Sequence, residues 1–156
     1  VYVASVAIGA SQEQALKAFN EAESYDGPSI IIAYSHSGAH GIDMKKPSMY
    51  HQALVDSGQW LLYRNDPRRN EKGLNNFQLD SKVPSIKIYD YLILENRFNK
   101  LFKENEGSFR SLIQKAQKHV DNRFDKYLAM SSTTGKLNRN KRLQNKRITQ
   151  QLTYKK

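Results

Sequence analysis

The sequence predicts an α/β fold: a partial parallel sheet with a crossover helix, then a helical hairpin and a basic tail. Three observations carry this. Residues 1–34 read as strand, capped helix, strand. Residues 89–130 carry apolar side chains at helical spacing. Nine of the 25 Lys/Arg and none of the 15 Asp/Glu lie after Asp125. The net charge of +10 therefore divides into +1 over residues 1–125 and +9 over 126–156. A basic tail on a near-neutral body is not a body-wide nucleic-acid face.

Val1 to Ile8 are nearly all small or β-favouring, and predict a buried strand. Gly9-Ala10 turns the chain. Ser11-Gln12-Glu13-Gln14 is a capping box that starts a helix reaching about Tyr25. Ala15, Ala18, Phe19 and Ala22 form its apolar stripe, and Glu13, Glu21 and Glu23 its solvated side. Asp26-Gly27-Pro28 stops it. Ser29 to Tyr34 lacks polar alternation, which predicts burial on both faces. A crossover of this length joins parallel strands and should be right-handed.

The next loop, Ser35 to Ile42, follows the carboxyl end of that strand, where open α/β sheets place their ligands. A second helix is predicted over Ser48–Val55, and a third strand over Trp60–Arg64. Three parallel strands make a narrow sheet with exposed edges. Residues 68–86 read as an extended connector. Helices over Tyr89–Phe102 and Ser108–Met130 form the hairpin, divided at Glu104–Gly107 with Ser108 as N-cap. Their aromatic residues mark helix core or docking against another domain. The division is 1–67 for the α/β part, 68–132 for connector and hairpin, and 133–156 for the tail.

Composition excludes much. There is no cysteine, so disulfides, thiolate zinc sites and cysteine nucleophiles are absent from this sequence. No apolar run approaches the roughly 20 residues of a membrane helix. The first residues lack a charged leader, and the expected location is cytoplasmic. A start on Val rather than Met points to missing upstream residues.

Few residues carry chemistry. His36 and His40 are spaced i, i+4, with His51 eleven further on. Ser37-Gly38 and Gly41 make this stretch a loop, so the spacing predicts loop hydrogen bonding rather than a metal site. Gly9-Ala10-Ser11 lacks the glycine pattern and lysine of a phosphate loop and reads as a tight turn. Ser37 has no Gly-x-Ser-x-Gly elbow and is no nucleophile. No catalytic residue is predicted. Lys136, Arg139, Lys141, Arg142, Lys146 and Arg147 offer phosphate contacts to RNA, although only Tyr154 in the tail is available for stacking.

Longer motifs point to a family. Val1 to Ala10, Leu16-Lys-Ala-Phe19, Glu21 to Ser29, Ile31 to His36 and Ala39-His-Gly-Ile42 resemble pyruvate:ferredoxin (flavodoxin) oxidoreductase just after its thiamine diphosphate loop. Val55 to Gly58, Trp60 to Arg64, Asp66 to Arg68 and Asn76 to Lys82 continue the resemblance, which covers about residues 1–130. It implies the carboxy-terminal part of a much longer chain. That family uses thiamine diphosphate, magnesium, [4Fe–4S] clusters and coenzyme A, with ferredoxin or flavodoxin as partner. The Gly-Asp-Gly segment that holds magnesium is not in this sequence. The family's loop resembles Ser-His-Cys-x-Ala-His-Gly-Ile. Ser37 stands at the position of its cluster cysteine, and Gly38 where a larger apolar residue is usual. The expectation is a chain that binds no cofactor by itself and is inactive alone. Its partner is then the remainder of the oxidoreductase. The alternative is a repurposed non-catalytic module anchored in a larger assembly, without membrane contact, by its basic tail.

Overall fold

A computed structural model describes residues 1–132. The tail residues Lys136 to Arg147, and with them the RNA reading, lie outside the described residues.

The first strand, β1 (Tyr2–Val6), is followed by helix α1 (Gln12–Glu23) and strand β2 (Ser29–Ala33). β1 and β2 pair in parallel, from Tyr2 opposite Ser29 to Val6 opposite Ala33. The capping box forms in part: the Ser11 hydroxyl accepts from the Gln14 amide at 3.2 Å. The Gln14 side chain does not turn back. It donates to Ser5 O and to Asp80. Ala15 and Ala18 are buried and close a core with Tyr2, Ala4 and Val6.

Helix α2 (Pro47–Asp56) and strands β3 (Tyr63–Asn65) and β4 (Phe77–Leu79) complete the sheet, in the order β2-β1-β3-β4. Two expectations are corrected here. The third strand runs antiparallel to β1, not parallel, and the connector over 68–86 supplies a fourth strand and a 3-10 turn at Pro67–Lys72. Residues 66–76 fold back as a short excursion, with Asp66 N donating to Asn76 O, so the chain returns as a neighbouring antiparallel strand.

The expected burial of β2 on both faces is corrected as well. It is an edge strand, and Ile30 and Ile32 are 52% and 42% exposed. Leu16 and Phe19 of α1 are exposed as well. An all-apolar run shows that a strand is meant to be covered, not that this chain covers it.

The predicted helix over Tyr89–Phe102 is two: α3 (Ile88–Leu92) and α4 (Asn96–Glu104). The chain is extended at Glu95 between them. Helix α5 (Glu106–Ser132) begins before Ser108, which is no cap. The hairpin itself is antiparallel. Phe102 meets Phe109 near the connection, while Ile88 N donates to Gln117 further along α5. Leu54, Ile88, Tyr91 and Val120 form the second core.

One buried cation ties the sheet to α1. Arg64 of β3 donates to both oxygens of Asp80 at 2.8 Å and to Glu21 at 2.5 Å. Glu21 also accepts from Tyr2 Oη at 3.0 Å, so it is a paired carboxylate rather than part of a solvated face. Breaking such a pair leaves buried charges without partners. Arg64→Ala is expected to cost about 3–5 kcal/mol in a urea melt. Arg110→Ala, at an exposed helix pair with Glu106, should cost less than about 0.5 kcal/mol. Equal losses would contradict this account.

Candidate functional site

The loop after β2 packs against the α3–α4 break at Gly41, and a second glycine, Gly9, lets the β1–α1 turn approach α2. Gly41 has φ +70°, and a Cβ there would lie 2.6 Å from Asn96 Cβ. Asn96 N donates to Gly41 O across this contact. Gly9 lies against His51, whose Nδ1 accepts from the Gly9 amide at 3.1 Å. A Cβ on Gly9 would collide with that ring.

The loop thereby places His36 and His40 over Glu95. Glu95 is 0% exposed. Its Oε2 accepts from Arg97 Nε at 2.6 Å, and its Oε1 accepts from the Tyr91 hydroxyl. His36 Nε2 lies 3.7 Å from Glu95 Oε1 and 3.4 Å from Tyr91 Oη. His40 Nδ1 lies 3.9 Å from the same carboxylate oxygen. Both His36 Nδ1 and His40 Nδ1 are buried without a hydrogen-bond partner. The His36 ring stacks on His51 at 4.9 Å and meets Tyr34 edge-on at 5.0 Å.

Burial holds the His36 pKa below its ordinary value. The His51 ring adds to that depression, and Glu95 opposes it. Burial likewise lowers His51. Burial, then the bond to Glu95, push the Tyr91 phenol well above its usual range. Burial thus disfavours the charged form of His36 and His51 near one compensated carboxylate.

The predicted site residues separate. His36 and His40 come together. Ser37 does not join them: it is exposed and its hydroxyl accepts from Ala39 N at 3.3 Å, capping the 3-10 turn Gly38–His40. His51 is beside His36, but its Nδ1 is spent on Gly9. The Gly9–Ser11 turn also spends its amides internally: Ala10 N and Ser11 N both donate to Ala7 O. No amide of that turn is left for a phosphate. Glu95, Tyr91 and Arg97 are absent from the sequence-derived site. The signal for Glu95 was its place four residues after Tyr91, inside the apolar stripe of a predicted helix.

Comparison with known proteins locates the chain. It is 49% identical over 132 residues to the pyruvate-flavodoxin oxidoreductase of Nostoc sp., covering 85% of this chain and 11% of that protein. It is 42% identical over 127 residues to the pyruvate:ferredoxin oxidoreductase of Moorella thermoacetica, covering 81% of this chain and 11% of that protein. This chain is homologous to one segment of the pyruvate-flavodoxin oxidoreductases. The mitochondrial NADP(+) pyruvate dehydrogenase of Euglena gracilis shares the segment at 40% identity over 132 residues, 83% of this chain and 7% of that protein. No protein-family model matches. The oxidoreductase segment contains no helix, among the described residues, long and apolar enough to cross a membrane.

A [4Fe–4S] cluster does not fit the residues present at Ser37. The Ser37 hydroxyl is already spent as a cap, and a hydroxyl is much harder to deprotonate than a thiol.

The depressed His36 gives the oxidoreductase segment a pH signature. The unfolded imidazole titrates near about pH 6.5 and the folded one lower. The unfolded state therefore binds more protons in that window, and stability falls as pH drops from about 6.5 towards the folded value. His36→Gln should show a smaller drop in urea midpoint between about pH 7.5 and about pH 5.5 than the unsubstituted chain. An identical drop in both would assign the pH dependence elsewhere.

Proposed function

We propose that this chain is the carboxy-terminal segment of a pyruvate:ferredoxin (flavodoxin) oxidoreductase-like protein. In that protein, pyruvate is decarboxylated on thiamine diphosphate, electrons pass through [4Fe–4S] clusters to ferredoxin or flavodoxin, and acetyl is delivered to coenzyme A. Residues 1–67 would wall the thiamine site, and the helices after residue 68 would shield the nearest cluster. The chain alone performs none of these steps. Its own residues supply a scaffold: β1 and β2 as a parallel pair, and the His36–Gly41 loop held on Glu95.

The observation that carries this reading is the open edge of β2. A five-residue strand with Ile30 and Ile32 exposed is an invitation to pairing. It lies next to α1, which leaves Leu16 and Phe19 uncovered. Parallel strands belong in sheets covered on both faces. The matched segment is a small part of each relative, so the missing cover has a natural source in the rest of such a chain.

The test uses the Nostoc relative shortened by its 132 matching residues, mixed with this chain as a separate polypeptide. The two should co-elute in size-exclusion chromatography. Ile30→Asp combined with Ile32→Asp should abolish co-elution while this chain keeps its helical circular dichroism. Failure of the unsubstituted pair to associate would overturn the segment reading.

The second test is chemical. The mixture with Ser37 should not reduce a viologen with pyruvate and coenzyme A, and Ser37→Cys should restore reduction. Turnover by this chain alone would refute the claim that it is inactive by itself.

A further inference from the structure

We propose that His36, His40 and Glu95 form a binding site for a divalent transition metal of the zinc class. The inference is independent of the oxidoreductase reading. One donor atom from each of the three residues lies within 4.8 Å of the other two, and His36 Nε2 and His40 Nδ1 both face Glu95 Oε1. Two imidazoles and one carboxylate are the donor set of an open tetrahedral zinc site. Tetrahedral bonds of about 2.0–2.1 Å put donor atoms about 3.4 Å apart. The observed 3.7 and 3.9 Å to Glu95 Oε1 need a contraction of about half an ångström or less, and the two imidazoles, on one loop, must close on each other from within the 4.8 Å that bounds the set.

The site has the support that such a set requires. Glu95 Oε1 carries two lone pairs, and the Tyr91 hydroxyl uses one of them. Glu95 Oε2 is held by Arg97, so the carboxylate is oriented by its outer partners. The guanidinium of Arg97 is half exposed, and solvent screens its repulsion of a cation. His40 Nδ1 is buried with no hydrogen-bond partner, a costly state that a bound cation relieves. Three protein ligands leave a fourth position for water or an anion.

On a loop, an i, i+4 histidine pair does not by itself make a metal site. The third ligand comes instead from a residue 55 positions after His40, at a helix break that periodicity does not reveal. His51, the third histidine considered, is not needed.

The test is titration of the chelator-treated full chain with Co2+, read by the visible bands of a tetrahedral cobalt site. One equivalent is expected. His40→Ala and, separately, Glu95→Gln should each weaken binding by more than about tenfold, the loss typical of even an outer partner. His119→Ala, an exposed histidine on α5, should leave binding unchanged. Zn2+ should displace Co2+ and raise the melting temperature of the unsubstituted chain, but not that of His40→Ala. His40→Gln, which keeps the side-chain bulk, serves if His40→Ala does not fold. Absence of stoichiometric binding overturns the proposal. So does binding that survives both His40 variants, or that follows His119 or deletion of residues 133–156.

Discussion

The arrangement depends on one buried carboxylate. Glu95 is without solvent exposure, and an isolated charge there would be costly. It is kept by a guanidinium, a phenol and two imidazoles that come from different elements. Tyr91 belongs to α3, Arg97 to α4, and the histidines to the loop after β2. Satisfying this charge therefore joins the end of the α/β unit to the start of the helical hairpin. It also explains the break between α3 and α4. A continuous helix would carry the backbone through Glu95 in helical geometry, whereas the extended backbone there lets Glu95 O accept from Phe98 N and Asn99 N and start a new helix.

A second buried network serves the opposite end of the sheet. Arg64 bridges Glu21 of α1 and Asp80 beyond β4, and Asp80 also accepts from Gln14. The cavity of about 470 Å³ beside it is lined by charges of both signs, including Lys17, Arg64, Asp56 and Asp80. Arg64 and Asp80 are matched to each other, which is the pattern of a structural join. At Glu95 the carboxylate faces His40 Nδ1, a buried nitrogen with no hydrogen-bond partner of its own. Polar atoms left unmatched in a buried place are where binding chemistry concentrates.

Much of the fold was legible. The Ser11 cap and the alanine stripe placed α1, and the i, i+3/i+4 steps from Phe109 to Leu128 placed α5. These signals are local, and local signals survive without tertiary context. Strand pairing is not local. Nothing in Trp60–Arg64 says whether its neighbour runs parallel, and Phe77-Gln78-Leu79 is too short to stand out from a polar connector. β2 misled for a different reason. Its isoleucines report the environment for which the strand is suited, and in this chain that environment is missing on one side. Glu95 was hidden because a single acid in an apolar stripe looks like a surface residue at the edge of a helix. Only the meeting of residues 36–41 with 91–97 gives it partners.

Ser37 and its neighbours divide the loop into two chemistries. Ser37 faces solvent and spends its hydroxyl on the turn, while His36 and His40 face inwards to Glu95. Gly41 and Asn96 hold the loop through a contact that does not involve residue 37. A solvent-facing hydroxyl and an inward histidine–carboxylate cluster are therefore compatible in one loop. The constraint that preserves the second is geometric: any side chain at Gly41 would push the loop off Asn96 and separate His40 from Glu95.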